Sequence, residues 1–100
     1  MAAKSSKAVK AVTATAESLS VERVQTGVKI EKRLLKVLKA LAEYHDMSLG
    51  DLLEGIVLHA FDGKQPFEKA SLARIQQLKK IYGLDLDASH SHRLQEAEQS

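Results

Sequence analysis

The sequence predicts a mainly helical fold with one short N-terminal strand, and three observations carry this prediction. Residues 24–30 alternate apolar and polar side chains, residues 31–61 contain two apolar stripes with helical spacing, and a short break at 46–48 separates the stripes. A single strand cannot satisfy its own backbone hydrogen bonds. We therefore expect it to pair with the same strand of a second copy, which gives a two-stranded antiparallel ribbon on a homodimer.

The composition limits both the size and the chemistry of the chain. One hundred residues that are 44% hydrophobic but only 4% aromatic suffice for one small domain with an aliphatic core, which favours an obligate dimer. Because there is no cysteine, disulfides and thiolate metal sites are excluded. The apolar runs are too short to span a membrane, and we expect a cytoplasmic protein without membrane contact.

Charge is distributed unevenly along the chain. Residues 1–40 hold nine Lys/Arg against three Asp/Glu, a balance of +6, whereas residues 41–100 hold six against ten, a balance of −4. A chain that presents its N-terminal half to a polyanion has this pattern.

Four segments follow from these patterns. Residues 1–20 are rich in Lys, Ser, Thr and Ala and are expected to form a disordered basic arm, which would add salt-sensitive affinity for DNA. Residues 21–62 are expected to form the dimerisation and DNA-binding domain, residues 63–83 an additional C-terminal helix, and residues 84–100 a polar, mobile tail.

The predicted strand ends at Ile30. Its two alternating sets are Val24, Thr26, Val28 and Ile30 on one side and Gln25, Gly27 and Lys29 on the other. One set is expected to face the helices and the other to face outward. Gly27 weakens the prediction, because glycine loses more entropy than other residues and packs no side chain.

The first helix is predicted over Glu31–His45. Leu34, Leu38 and Leu41 recur at helical spacing and define its apolar stripe. Asp46 is expected to take the left-handed conformation that ends a helix. The lysines expected on the opposite side are Lys32, Lys36 and Lys39.

The second helix is predicted to begin after Ser48 as N-cap, with Asp51 as the capping partner. Gly55 in mid-helix costs about 1 kcal/mol relative to Ala, which is tolerable if another backbone packs closely there. Gly63 is expected to terminate the helix. The apolar stripe consists of Leu49, Leu52, Leu53, Ile56, Val57 and Ala60.

The third helix is predicted over residues 67–82, opened by Pro66 and ended by Gly83. A short docked turn is expected at Leu84 and Leu86. The inward-facing residues of the helix are expected to be Leu72, Ile75, Leu78 and Tyr82.

A strand, a helix, a tight turn and a second helix in this order resemble the ribbon–helix–helix family, the Arc/MetJ class of bacterial DNA-binding proteins. The resemblance covers Val24 to Ala60, somewhat over a third of the chain, and consists of hydrophobic spacing with one serine. The positions that carry it are Ile30, Leu34, Leu38, Leu41, Ala42, Ser48, Leu52, Leu53 and Ile56.

The resemblance implies a DNA-binding site made of two groups of residues. Outward strand residues would read base edges in the major groove, and the start of the second helix would hold a phosphate through backbone N–H groups. The base-facing positions are Arg23, Gln25, Gly27 and Lys29. The phosphate-binding positions are Lys32, Arg33, Ser48, Leu49 and Gly50.

This chain departs from the family pattern at two positions. Gly27 occupies the central reading position without a side chain, which weakens direct readout, and Asp46 replaces the glycine commonly found in the turn.

The function these features predict is that of a homodimeric, sequence-specific DNA-binding protein and transcriptional repressor, with dimers able to bind side by side. One alternative is an antitoxin whose residues 66–100 bind a toxin or another protein partner. The other is a weakly specific architectural protein or a protein-interaction module.

Catalysis and metal binding receive little support from the sequence. The histidines have no convincing carboxylate partner, and no serine lies in a glycine-rich loop or a strand-to-helix elbow. We therefore expect no enzyme activity, no cofactor and no metal. The residues considered for a metal were His45, His59, His90 and His92.

Overall fold

The computed structural model describes residues 18–97, which form three helices and one short 3₁₀ turn. Helix α1 is Lys32–Tyr44, α2 is Leu49–Phe61 and α3 is Lys69–Tyr82, and the turn is Ala88–His90. Helix α1 packs against both of the other helices.

Helix α1 begins at an acidic N-cap. The carboxylate of Glu31 accepts a hydrogen bond of 2.8 Å from the backbone N–H of Leu34, which satisfies one of the free donors of the first turn. Val37, Leu41 and Ala42 are buried, whereas the lysines of the helix are exposed. The predicted first helix is thus confirmed, with one residue fewer at each end.

The break after α1 depends on a left-handed residue. Asp46 has a φ of +60°. This lets the backbone N–H of Met47 donate to the carbonyl of Ala42 at 3.0 Å, which closes the helix end. The conformation predicted for Asp46 is confirmed.

Helix α2 begins and ends as predicted. The hydroxyl of Ser48 accepts a hydrogen bond of 3.1 Å from the N–H of Asp51, and Gly63 follows the helix with a φ of +67°. The close backbone approach expected at Gly55 is absent within residues 18–97, because a Cβ placed there would meet no atom of the rest of the fold within 4 Å.

Helix α3 begins two residues later than predicted, at Lys69, after Glu68 as N-cap. The side-chain oxygen of Gln65 accepts a hydrogen bond of 3.2 Å from the N–H of Phe67, which holds this stretch in a turn. Gly83 ends the helix with a φ of +67°, and Leu84 is buried behind it.

The hydrophobic core is small and lies where α1 meets α2, α3 and the chain after α3. It does not contain Leu72, which was predicted to face inward but is 37% exposed. The buried apolar residues are Val37, Leu41, Ala42, Leu52, Leu78 and Leu84.

The prediction of a β-ribbon, and with it the ribbon–helix–helix fold class, is wrong: residues 18–97 contain no strand. A strand exists only through a hydrogen-bonded partner, and the described chain offers no second extended segment beside residues 24–30. The alternation does not separate buried from exposed side chains either, because Val24 is 80% and Val28 76% exposed. The protein is mainly helical.

Of the predicted disordered arm, residues 1–17 lie outside the described residues. Within residues 18–97, no helix is both long enough and apolar enough to cross a lipid bilayer.

Candidate nucleic-acid interface

Three lysines form a continuous cationic strip on α1, which we call the lysine face. Lys32, Lys36 and Lys39 are exposed. At 3.6 residues per turn they lie within about 60° of one another around the helix axis, and Leu41 in the core lies opposite. None of the three forms an ion pair with a residue in 18–97, so their charges face solvent.

The base-facing residues predicted from the sequence lie together in the extended chain before α1. Arg23, Gln25, Gly27 and Lys29 are all exposed, and this stretch leads directly to the first lysine of the lysine face. Cationic residues therefore continue along the sequence from the extended chain onto α1, with Glu31 between Lys29 and the lysine face.

Arg23 is held by a carboxylate of α2. Its Nε and Nη2 atoms each donate a hydrogen bond of 2.7 Å to one of the two oxygens of Glu54. These hydrogen bonds lower the pKa of Glu54 and raise the pKa of Arg23 from their ordinary values. Because both side chains are largely solvent-exposed, the pair contributes little to stability.

Lys29 forms a looser contact. Its Nζ atom lies 3.4 Å from a carboxylate oxygen of Glu96, and the two side chains are 89% and 69% exposed. A pair this open to solvent is readily exchanged for another anion.

Arg33 has a structural environment that differs from that of the lysine face. Its guanidinium donates to Glu31 at 3.0 Å, to the carbonyl of Gly83 at 2.9 Å and to Asp85 at 3.1 Å. These contacts tie the start of α1 to the end of α3, which leaves the side chain less available to a phosphate than the lysines are.

The predicted phosphate position at the start of α2 is accessible. The hydroxyl of Ser48 is occupied by the capping hydrogen bond, and within the described chain the N–H groups of Leu49 and Gly50 have no acceptor. Exposed Asp51 lies in the same turn, and its charge opposes the attraction of the helix dipole for an anion.

One polar contact was missed by the sequence analysis. Ser71 is buried, and its hydroxyl lies 3.1 Å from Nε2 of His45, which joins the end of α1 to α3 beside a cavity of about 270 Å³. A signal was present in the sequence, because Ser71, Ile75 and Leu78 follow one another at spacings of four and three, which places Ser71 on the same side of the helix as the two apolar residues.

His59 and His90 have local partners. Nδ1 of His90 accepts a hydrogen bond of 3.0 Å from the N–H of Asp87 and lies 3.3 Å from the carboxylate of the same residue. Hydrogen bonds from Ser89 lower the pKa of Asp87. Nδ1 of His59 lies 2.7 Å from the carbonyl of Gly55. In the described part of the chain, no three His, Asp or Glu side chains are grouped so as to hold a metal.

Comparisons with protein-family models, curated proteins and solved structures find no match for this chain.

Proposed function

We propose that this chain is a homodimeric, sequence-specific protein that binds double-stranded DNA and represses transcription by occupying its site. The observation that carries the proposal is the concentration of exposed cationic residues in the extended chain and on the lysine face, where none of the three lysines forms an ion pair with a residue in 18–97. Within residues 22–40, six Lys/Arg stand against two Asp/Glu.

The lysine face supplies the part of the affinity that is independent of base sequence. Lys32 and Lys39 are seven residues apart, which is about 10 Å along the helix axis. Duplex DNA carries one negative charge per ~1.7 Å of its axis, so three lysines over this distance meet several phosphates. Each lysine that contacts a phosphate releases a counterion and makes binding salt-dependent.

The extended chain supplies the base contacts. Gln25 is suited to adenine and Arg23 or Lys29 to guanine, and all three side chains are exposed. Gly27 adds no side chain, so discrimination between bases rests on these three residues.

Self-association is supported by the apolar surface that the single chain leaves open. Val57, Leu58 and Phe61 on α2 are 43%, 63% and 81% exposed. A second copy that covers these residues would remove their surface from water, and its two-fold symmetry would match a palindromic DNA site. Such a protein would be associated with the nucleoid.

Fluorescence anisotropy with duplex DNA over a salt series tests the proposal. The test variant carries Lys32→Gln, Lys36→Gln and Lys39→Gln, and glutamine is chosen because it favours helix about as well as lysine. We expect the slope of log K against log salt to become shallower by about 2.7 if each lysine contacts one phosphate.

A matched control removes the same charge elsewhere. It carries Lys64→Gln, Lys69→Gln and Lys80→Gln, three exposed lysines outside the proposed interface. If the two triple variants lose the same affinity for DNA, net charge alone attracts the DNA and the assigned surface is overturned. Equal affinity for unrelated duplexes would replace repression with an architectural role, and no binding at low salt would overturn DNA binding altogether.

A further inference from the structure

Two of the four proposed base-facing residues form ion pairs with carboxylates that lie outside residues 1–40. Glu54 of α2 holds Arg23, and Glu96, beyond the 3₁₀ turn, lies against Lys29. The sequence places these acids 31 and 67 residues from their partners, and the fold brings them together.

We propose that Glu54 takes the place of a DNA phosphate or guanine and holds Arg23 in an autoinhibitory contact that DNA must displace. This inference rests on the proposed function and concerns the regulation of the same surface.

The geometry of the pair favours competition over a purely structural role. Nε and Nη2 of Arg23 form two hydrogen bonds of 2.7 Å to the two carboxylate oxygens of Glu54. A guanidinium uses the same planar pair of donors for a phosphate or for the O6 and N7 atoms of guanine. While it holds Glu54, Arg23 therefore cannot use these two donors for DNA, and a phosphate at its remaining donors would lie close to the Glu54 carboxylate, which repels it.

The exposure of the pair makes the contact reversible. In the single chain the side chains of Arg23 and Glu54 are 63% and 45% exposed, so the contact can be exchanged without opening the core. A second copy that covers Val57 and Leu58, one turn further along α2, must leave this pair open to DNA. Arg33 differs, because its guanidinium also binds the carbonyl of Gly83 and its release would disturb the contact between α1 and α3. Removal of Glu54 should therefore free Arg23 at less structural cost than removal of the acids that hold Arg33.

The size of the effect follows from the strength of exposed ion pairs. Such pairs are typically worth a factor of about 1.4 to 5 in an equilibrium constant. The autoinhibitory contact should reduce the affinity for DNA by a similar factor, and a freed Arg23 that binds a phosphate should steepen the salt slope by about 0.9.

The experiment is a double-mutant cycle read by anisotropy with duplex DNA at several salt concentrations. The proteins are the full chain, Glu54→Gln, Arg23→Gln and the double variant. The control is Glu68→Gln, which changes the net charge by the same amount as Glu54→Gln. Glu68 is exposed, and its side chain makes no capping hydrogen bond.

We expect Glu54→Gln to bind DNA about 1.4- to fivefold more tightly than Glu68→Gln, with a steeper salt slope. In the protein that already carries Arg23→Gln, Glu54→Gln should increase the affinity for DNA no more than Glu68→Gln does. A gain that persists without Arg23 would be a general charge effect and would overturn the autoinhibitory contact. Weaker binding by Glu54→Gln would also overturn it, since Glu54 would then position Arg23 for DNA.

Two further outcomes separate this inference from the proposed function. If binding is lost in the variant of the lysine face but is the same for Glu54→Gln and Glu68→Gln, DNA binding stands and the autoinhibitory contact is overturned. If neither the full chain nor Glu54→Gln binds duplex DNA at the lowest salt, both are overturned.

Discussion

Helices α1 and α2 have the same length and the same number of apolar residues, yet they are buried to different extents. Each has thirteen residues, of which eight are apolar. Helix α1 buries three side chains and α2 buries only Leu52. Five charged residues of α1 lie away from its core face, whereas α2 has only Asp51 and Glu54 and is apolar around most of its circumference.

The difference shows which of the two helices has its apolar surface covered within the single chain. An amphipathic helix needs one partner surface, and α1 finds it in α3 and α2. A helix that is apolar around most of its circumference is normally buried on several sides. The exposed side of α2 is therefore the surface on which we expect a second copy, whereas the exposed side of α1 is the lysine face.

The largest effect is expected from truncating the buried face of α1. Leu41 is 1% exposed, and Leu41→Ala should lower the free energy of unfolding by about 2–5 kcal/mol through lost burial and the cavity left behind. Urea unfolding monitored by circular dichroism measures this. Leu94→Ala is the control, because Leu94 is 51% exposed, and an equal loss at both positions would contradict the assignment of the core.

The next effect concerns the exposed side of α2. If a second copy covers Phe61, Phe61→Lys should weaken self-association by roughly ten- to a hundredfold, since burying a large apolar side chain contributes about 1.5–3 kcal/mol. Sedimentation equilibrium gives the dissociation constant. Ile81→Lys on α3 is the matched control, because Ile81 is 68% exposed. A parent chain that stays monomeric, or equal effects at the two positions, would contradict an interface on α2.

How far the sequence predicted these features depends on the range of the interactions involved. The cap at Ser48, the left-handed Asp46 and the helix ends at Gly63 and Gly83 are set by neighbours a few residues away, and these predictions are confirmed. The strand was wrong because strand pairing is a long-range property that local alternation cannot establish.

The candidate site shows the same limit. Exposure of the lysine face followed from helical spacing alone. The ion pair of Arg23 with Glu54 joins residues 31 positions apart, and the contact of Arg33 with Asp85 joins residues 52 apart, so neither was visible in the sequence. Ser71 was missed for a simpler reason, because the apolar Leu72 was taken as the first inward-facing residue of α3, whereas Ile75 and Leu78 were assigned correctly.

A smaller effect is expected at the N-cap of α1. Glu31→Ala should lower the free energy of unfolding by ~1 kcal/mol at neutral pH, because the N–H of Leu34 loses its acceptor. This hydrogen bond, with a smaller contribution from Arg33, lowers the pKa of Glu31. A carboxyl whose pKa is lowered by folding stabilises the protein at a pH above its ordinary pKa. This stability is lost as the pH falls through the pKa of the folded state.

The difference in stability between the parent chain and Glu31→Ala should therefore shrink in acid. Urea unfolding at neutral and acidic pH measures this change. Glu43→Ala is the control, because Glu43 is exposed near the end of the same helix and accepts no side-chain capping bond within residues 18–97. A difference that stays constant with pH would contradict the role of the Glu31 carboxylate.

The smallest effect is expected from Gly55→Ala, which distinguishes a Gly55 that faces solvent from one that packs against the backbone of a second copy. In the single chain a Cβ at this position meets no atom of the rest of the fold within 4 Å, so Gly55→Ala should raise the free energy of unfolding by up to about 1 kcal/mol. Gly83→Ala is the matched control and should destabilise, because Gly83 has a φ of +67°. Urea unfolding at low and high protein concentration measures both. Destabilisation by Gly55→Ala that grows with protein concentration would place Gly55 in a close contact between copies, and would explain a glycine in the middle of a helix that the single chain leaves unexplained.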